Sequence, residues 1–288
     1  MQTRKVLVVV ALVSASIAMA ARDGITLRKA LTTGTEKYHM LTTSKQTISI
    51  AGADQDMAMT SVASYSFKIG AVDAAGGSAQ ADLTTKVEKV DFDGPLAEAM
   101  SGQKDKLLIS TTVSGKLDSR NRFNTDTAKK IDPRSVILGA STASFVSPLV
   151  EFPEVPVNVG DTWDVKVPKS PLTTKEDQKL TAKLVGEKDV DGKSVYVVSV
   201  TGTVKSNVDI GEIMKGNPVP ELEAIGATDM IITGSTDVSG EAIVDKATGQ
   251  TLTMTIKLNT KEEATSSALG DTKIPLTGVS TIKYTLDK

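Results

Sequence analysis

Residues 149–165 read LVEFPEVPVNVGDTWDV, and the fold turns on how this stretch is understood. Pro153 and Pro156 lack a backbone N–H and hold their predecessors extended, which predicts an ordered crossing between two halves of a sheet. Gly160-Asp161 then makes the turn, and Trp163 starts the next strand. Trp163 is the single tryptophan among ten aromatic residues. A side chain of that size either anchors the core by the apolar area it buries or offers its ring to a ligand as a stacking platform. The core reading is the expectation, with Gly160, Asp161 and Trp163 as structural anchors.

Upstream of the crossing, residues 42–52 and 59–72 alternate apolar and polar side chains in two runs, predicted to be strands joined across a polar turn, Ala53-Asp54-Gln55-Asp56. Gly76-Gly77 marks a hairpin, because glycine supplies the positive φ of the tight hairpin turns. In DFDGPLAEAMSG, Asp93 or Gly94 caps, Pro95 takes the first helical position and Gly102 stops a short amphipathic helix. Residues 106–117 return to the sheet and turn at Asp118–Asn121. Asp132-Pro133 opens a second predicted helix that runs up to Pro148. Residues 21–37 are weakly patterned, so ordered structure is expected to begin near Tyr38.

Downstream the same order recurs. Residues 178–206 form a predicted hairpin around Asp191-Gly192. Asp209 caps DIGEIMKG, whose Glu212, Met214 and Gly216 line up with Glu98, Met100 and Gly102 at one constant offset. Val238-Ser239-Gly240 then corresponds to Val113-Ser114-Gly115. Three landmarks in one order suggest internal duplication, with pseudo-repeats at 38–148 and 163–288 joined by 149–162. A further helical signal spans 220–225, an acidic Ser/Thr loop spans 262–271, and a last strand covers 277–287.

Apolar content is 40% but aromatic content only 3%, and Val, Ile and Thr dominate the short runs. Such β-branched residues favour strands. The expected fold is mainly β (α+β): a curved antiparallel sheet or half-barrel of two similar strand-rich halves, with a few short helices, in a single domain over 21–288.

Residues 1–20 have a basic start, an apolar run and small residues at Ala18 and Ala20, the pattern of a secretory signal peptide cleaved after Ala20. The run is too short and too interrupted by Ser14 and Ser16 to span a membrane. The expected product is exported and soluble, periplasmic or extracellular. Loss of Arg4 and Lys5 leaves 31 basic against 35 acidic residues, about −4 in net charge, which argues against a nucleic-acid partner.

Chemistry is sparse. The chain has one histidine and no cysteine. A zinc site would need three carboxylates, and Ser-His-Asp catalysis would have to recruit His39, which lies in a strand-forming run with no nucleophile-elbow sequence anywhere. His39 is expected at an edge or on the surface. Asp91-Phe92-Asp93-Gly94 and Asp189-Val190-Asp191-Gly192 resemble the start of a calcium loop but lack its later ligands, so turns and caps explain them. Neither a catalytic residue, nor a metal site, nor a cofactor is expected.

The segment Val157-Asn158-Val159-Gly160-Asp161-Thr162-Trp163, following EFPEVP, resembles an uncharacterised family of exported bacterial proteins that share V-x-V-G-D-x-W. The expected sheet is similar in architecture to the half-barrels of the lipoprotein-carrier and mycobacterial lipid-carrier class. The resemblance implies an exported β-rich protein and carries over no functional residue. Two functions stay open: a non-catalytic protein holding an apolar or lipid-like ligand in the concave face, with Leu96, Met100, Ile213, Met214, Leu222 and Ile225 as candidate lining, or an envelope interaction module without a ligand. The partner is accordingly an apolar small molecule or another envelope protein.

Overall fold

Val, Thr and Ser at alternating positions build long strands here, because one set of side chains packs while the other meets water. The computed structural model describes residues 24–50, 52–73, 75–95, 97, 102, 104–125, 147–170, 176–215, 229–267 and 272–287. The strands are β1 (Gly34–Ile50), β2 (Ala53–Val72), β3 (Ser78–Asp93), β4 (Ser110–Asp118), β5 (Phe123–Thr125), β6 (Thr162–Val167), β7 (Gln178–Val190), β8 (Lys193–Asp209), β9 (Ile231–Asp245), β10 (Thr251–Thr265) and β11 (Ile274–Leu286). They form one curved, unclosed antiparallel sheet in the order β5-β4-β3-β2-β1-β11-β10-β9-β8-β7-β6. Among the described residues one short helix, α1 (Ile210–Met214), and a 3-10 turn at Lys104–Leu107 accompany it.

Two meanders therefore meet where the first strand pairs with the last, in continuous register from Tyr38↔Leu286 to Ile48↔Leu276. In each meander a strand, a tight hairpin, a strand, a longer connection and two more strands follow one another. The hairpin turns fall where glycine and aspartate place them: Asp191 and Gly192 both have positive φ, 50° and 76°. Residues 53–56, expected as a turn, instead open β2. The reversal is made one step earlier at Gly52 (φ 81°), and Asp54 and Asp56 are held in the strand by hydrogen bonds from Ser49 and Thr47 across the ladder. Likewise residues 262–265 continue β10 rather than forming the expected loop. The helices expected at 95–101, 133–147 and 220–225 lie wholly or mostly outside the described residues.

The outer face is polar: Thr43, Lys45, Thr60, Lys257, Asn259 and Lys283 are all exposed. Of the large apolar residues there, Val279 stands between Lys45 and Asn259, and Leu41 pairs with Val62 on one side and Lys283 on the other. The inner face carries the core, where Met254, Ile256 and Leu258 of β10 align with Ile282 and Tyr284 of β11 and Val198 and Val200 of β8, all buried.

One end of the sheet, where the β2–β3, β4–β5, β7–β8 and β9–β10 turns lie, is crossed by two extended segments. The first is residues 24–32. Ile25 pairs with Val157, the Lys29 N–H donates to Ser119 O (2.7 Å), and the Ala30 N–H donates to Thr248 O (2.8 Å). Order thus begins well before Tyr38, since Leu27 and Lys29 are each only 2% exposed. Lys29 is admitted to the interior by an ion pair with Glu36 at 2.5 Å, and Gln250 donates to the other Glu36 oxygen. The second segment is the proline-bearing stretch, residues 149–161.

Candidate functional site

That stretch is a strap across the mouth of the open sheet. The Phe152 N–H donates to Arg120 O, and Arg120 Nε donates back to Phe152 O, both at 2.9 Å, which ties the strap to the β4–β5 turn. On the other side Trp163 Nε1 donates to Glu151 O at 2.8 Å, which ties it to the edge strand β6. Val150, Phe152 and Val157 point into the core and are buried. Pro153 and Pro156 keep the backbone extended between the two edges, as their fixed φ requires.

Gly160 and Asp161 lie at the strap's exit. The Gly160 N–H donates to Leu184 O and the Leu184 N–H to Asp161 O, so the β6–β7 ladder runs on past Thr162. The Asp161 carboxylate closes the turn by accepting the Asn158 N–H at 2.9 Å. Trp163 is half-buried rather than enclosed: it packs against the core, yet part of its indole lines an open cleft of about 470 Å3. Pro153 and Glu154 of the strap form one wall, and Asp164 and Lys166 of β6 with Lys179 of β7 form the other. Two ion pairs stand on the rim, Lys179–Asp164 at 2.6 Å and Lys166–Asp177 at 2.8 Å, and Arg120 reaches Glu154 at 2.6 Å. Hydrogen bonds from Lys166 Nζ and the Lys169 N–H hold the Asp177 carboxyl below its ordinary range.

A second region lies at the opposite end of the inner face, above the core. By strand alternation Ile48, Met57, Ile232 and Leu276 face inward, and all four are half-exposed. Ile213 and Met214 of α1 sit at this end and are buried, 9% and 6% exposed. The other four candidate lining residues, Leu96, Met100, Leu222 and Ile225, lie outside the described residues. Among these apolar groups stands Glu262, which accepts a hydrogen bond from Ser206. Gly234 lies between them in register, and a Cβ there would meet Glu262 Cγ at 2.8 Å, so the glycine lets the acid lie flat across β9. Burial pushes the Glu262 carboxyl up, with the Ser206 hydroxyl opposing. Below it Thr236 and Thr260 share a hydrogen bond at 3.1 Å.

His39 is exposed on the outer face, 2.8 Å from Asp287. Asp93 caps the turn at Gly94, and Asp189 accepts from Ser194 across its hairpin. Among the described residues no three histidines or carboxylates gather as metal ligands, and no helix is long and apolar enough to cross a membrane. The Glu262–Ser206 pair was missed from sequence because its partners are 56 residues apart; the available signal was an acid in an inward position of a strand-forming run.

No family model matches the chain, and no curated protein matches it. Solved structures that resemble it do so distantly. A DUF1329 family protein from Desulfovibrio piger is 10% identical over 86% of this chain and 83% of its own, with a TM-score of 0.16. An outer membrane channel from Pseudomonas putida F1 is 8% identical over 90% and 97%, with a TM-score of 0.22. A putative outer membrane lipoprotein-sorting protein domain from Vibrio parahaemolyticus is 7% identical over 87% and 83%, with a TM-score of 0.13. At this level of superposition none of them lends its role to the chain.

Proposed function

We propose that this is an exported, soluble, non-catalytic protein of the cell envelope that holds an apolar or lipid-like ligand at the open end of its concave face. The observation that carries the reading is the half-exposed patch of Ile48 and Leu276, directly opposite one another, with Met57 and Ile232 on the neighbouring cross-strand rows, lying beyond a core that the chain's own segments already fill. A small-molecule site is typically apolar with a few placed polar groups, and Glu262 with Ser206 is such a group. The polar outer face supports a water-borne sheet, because a membrane-spanning barrel turns an apolar band outward. The basic, apolar and small-residue order of residues 1–20 supports export.

The test is lipid extraction of the purified protein followed by mass spectrometry, together with titration by a fluorescent fatty-acid analogue. Saturable binding that Leu276→Asp abolishes is the expected result. The filled lower half favours the second reading, an interaction module, and absence of saturable binding would select it.

A further inference from the structure

We propose that the cleft between the strap and β6–β7 is a second, separate binding site, and that its ligand is a short neutral glycan stacked on Trp163. The geometry fits a sugar better than other ligands. The indole is held by its N–H···O bond to Glu151, so the part of it that lines the cleft is a fixed platform rather than a mobile one. Aromatic faces carry negative charge density and attract the weakly positive C–H hydrogens on the flat side of a pyranose ring. Around that platform, donors and acceptors alternate: Lys166 and Lys179 offer N–H groups, while Asp164 and Asp177 offer carboxylate oxygens, each near the end of an ion pair. A hydroxyl both donates and accepts, and a rim of mixed sign satisfies it in either sense.

The same rim excludes the other ligand classes. Three basic and four acidic side chains line the cleft, so its charge is about −1 and repels phosphate and nucleic acid. An acyl chain would desolvate those charges without pairing them, which is unfavourable. At about 470 Å3 the cleft lies within the roughly 300–1,000 Å3 of small-molecule sites and accommodates a short oligosaccharide. The strap, which sets one wall, is rigid through its prolines and its bonds to Arg120, so the site exists before the ligand arrives.

Trp163 is the chain's only tryptophan, so the full protein reports on this cleft by its own fluorescence. Neutral tetrasaccharides of glucose and of N-acetylglucosamine are titrated in turn, with tetradecanoate and inorganic phosphate as controls. The expected result is a saturable blue shift with at least one oligosaccharide, none with phosphate, and at least a fivefold weaker affinity in Asp177→Ala and in Lys166→Ala. Both of those residues are solvent-exposed, and circular dichroism confirms that the variants fold. Pull-down on insoluble cell-wall glycan then separates a polymer-bound source from a free oligosaccharide. No saturable shift with any sugar, a response to phosphate instead, or full affinity in both variants overturns the proposal. Fatty-acid binding without sugar binding would do so while leaving the concave-face reading intact.

Discussion

Lys29 shows how one residue can decide whether a segment is inside or outside. Burial pushes its ammonium pKa down, and the Glu36 carboxylate opposes that shift. A buried pair of this kind contributes little net stability, but removal of one partner strands the other. Lys29→Met is therefore expected to cost about 3–5 kcal/mol in chemical denaturation, whereas Lys29→Met with Glu36→Leu should recover most of it. If the double variant is no more stable than the single one, the pair is not the organising contact. Glu262 provides a second case with a definite sign. Its carboxyl is raised in the folded state, so the folded protein binds more protons than the unfolded chain between the ordinary glutamate pKa, about 4.3, and the raised value. Stability is lost as pH rises through that window, and the penalty is fully present above the raised value. Glu262→Gln keeps an acceptor for Ser206 and should raise Tm at pH 7 but not near pH 4. A lower Tm at pH 7 would show that the charge has a partner. Neither effect was legible in the sequence, where Lys29 fell in the weakly patterned stretch 21–37 and Glu262 in an acidic Ser/Thr loop. Charge suggested solvent in both places, and only a partner distant in sequence reverses that inference.

At the scale of the element, strands and hairpins were legible because their signal is local. Alternation over β1, β2 and β8, and the turns at Gly76 and Asp191-Gly192, follow from neighbours a few residues away. The turn at Gly52 was displaced by a few positions because the acids after it bond across the ladder to Ser49 and Thr47, which a one-dimensional reading cannot see. Close approach between strands gives a further test. A Cβ at position 234 would lie 2.2 Å from Lys261 O, so the backbone of β9 or β10 would have to move. Gly234→Ala is expected to destabilise by about 1–3 kcal/mol, as overpacking does. Full stability in thermal denaturation would mean that the strands separate freely there. Asp229 adds an acid-sensitive clamp, since its carboxylate takes the Ser266 hydroxyl together with the Ser267 hydroxyl and N–H, which holds its pKa at about 2. A depressed folded pKa contributes stability above the unfolded value, near 3.9, and loses it as pH falls through about 2. Hydrogen exchange at the β10 end should accordingly rise between those two values, and Asp229→Asn should show the faster exchange already at pH 7.

For the whole molecule, the pairing of β1 with β11 and the crossing by the strap are what turn two meanders into one open half-barrel. The sequence indicated that residues 149–161 are an ordered crossing, because prolines and a glycine turn constrain them locally. It did not indicate what they cross, since strand order is set by non-local packing of Tyr38, Phe67 and Leu117 with Leu149 and of Phe152 with the larger cluster. The two seams differ in kind: β1 and β11 share a long main-chain ladder, whereas among the described residues β5 and β6 share no ladder and are bridged by the few hydrogen bonds and buried side chains of the strap and of residues 24–32. Phe152 is fully buried, so Phe152→Ala should cost about 3–5 kcal/mol from lost transfer energy and the cavity left behind. Because that cost falls on the weaker seam, the sheet should open there first. Hydrogen exchange in the variant is expected to rise in β4, β5, β6 and the β7 edge, while amides along β1 and β11 stay protected. Uniform loss of protection across all strands would mean that the strap is part of a single cooperative core and that the half-barrel has no preferred line of opening.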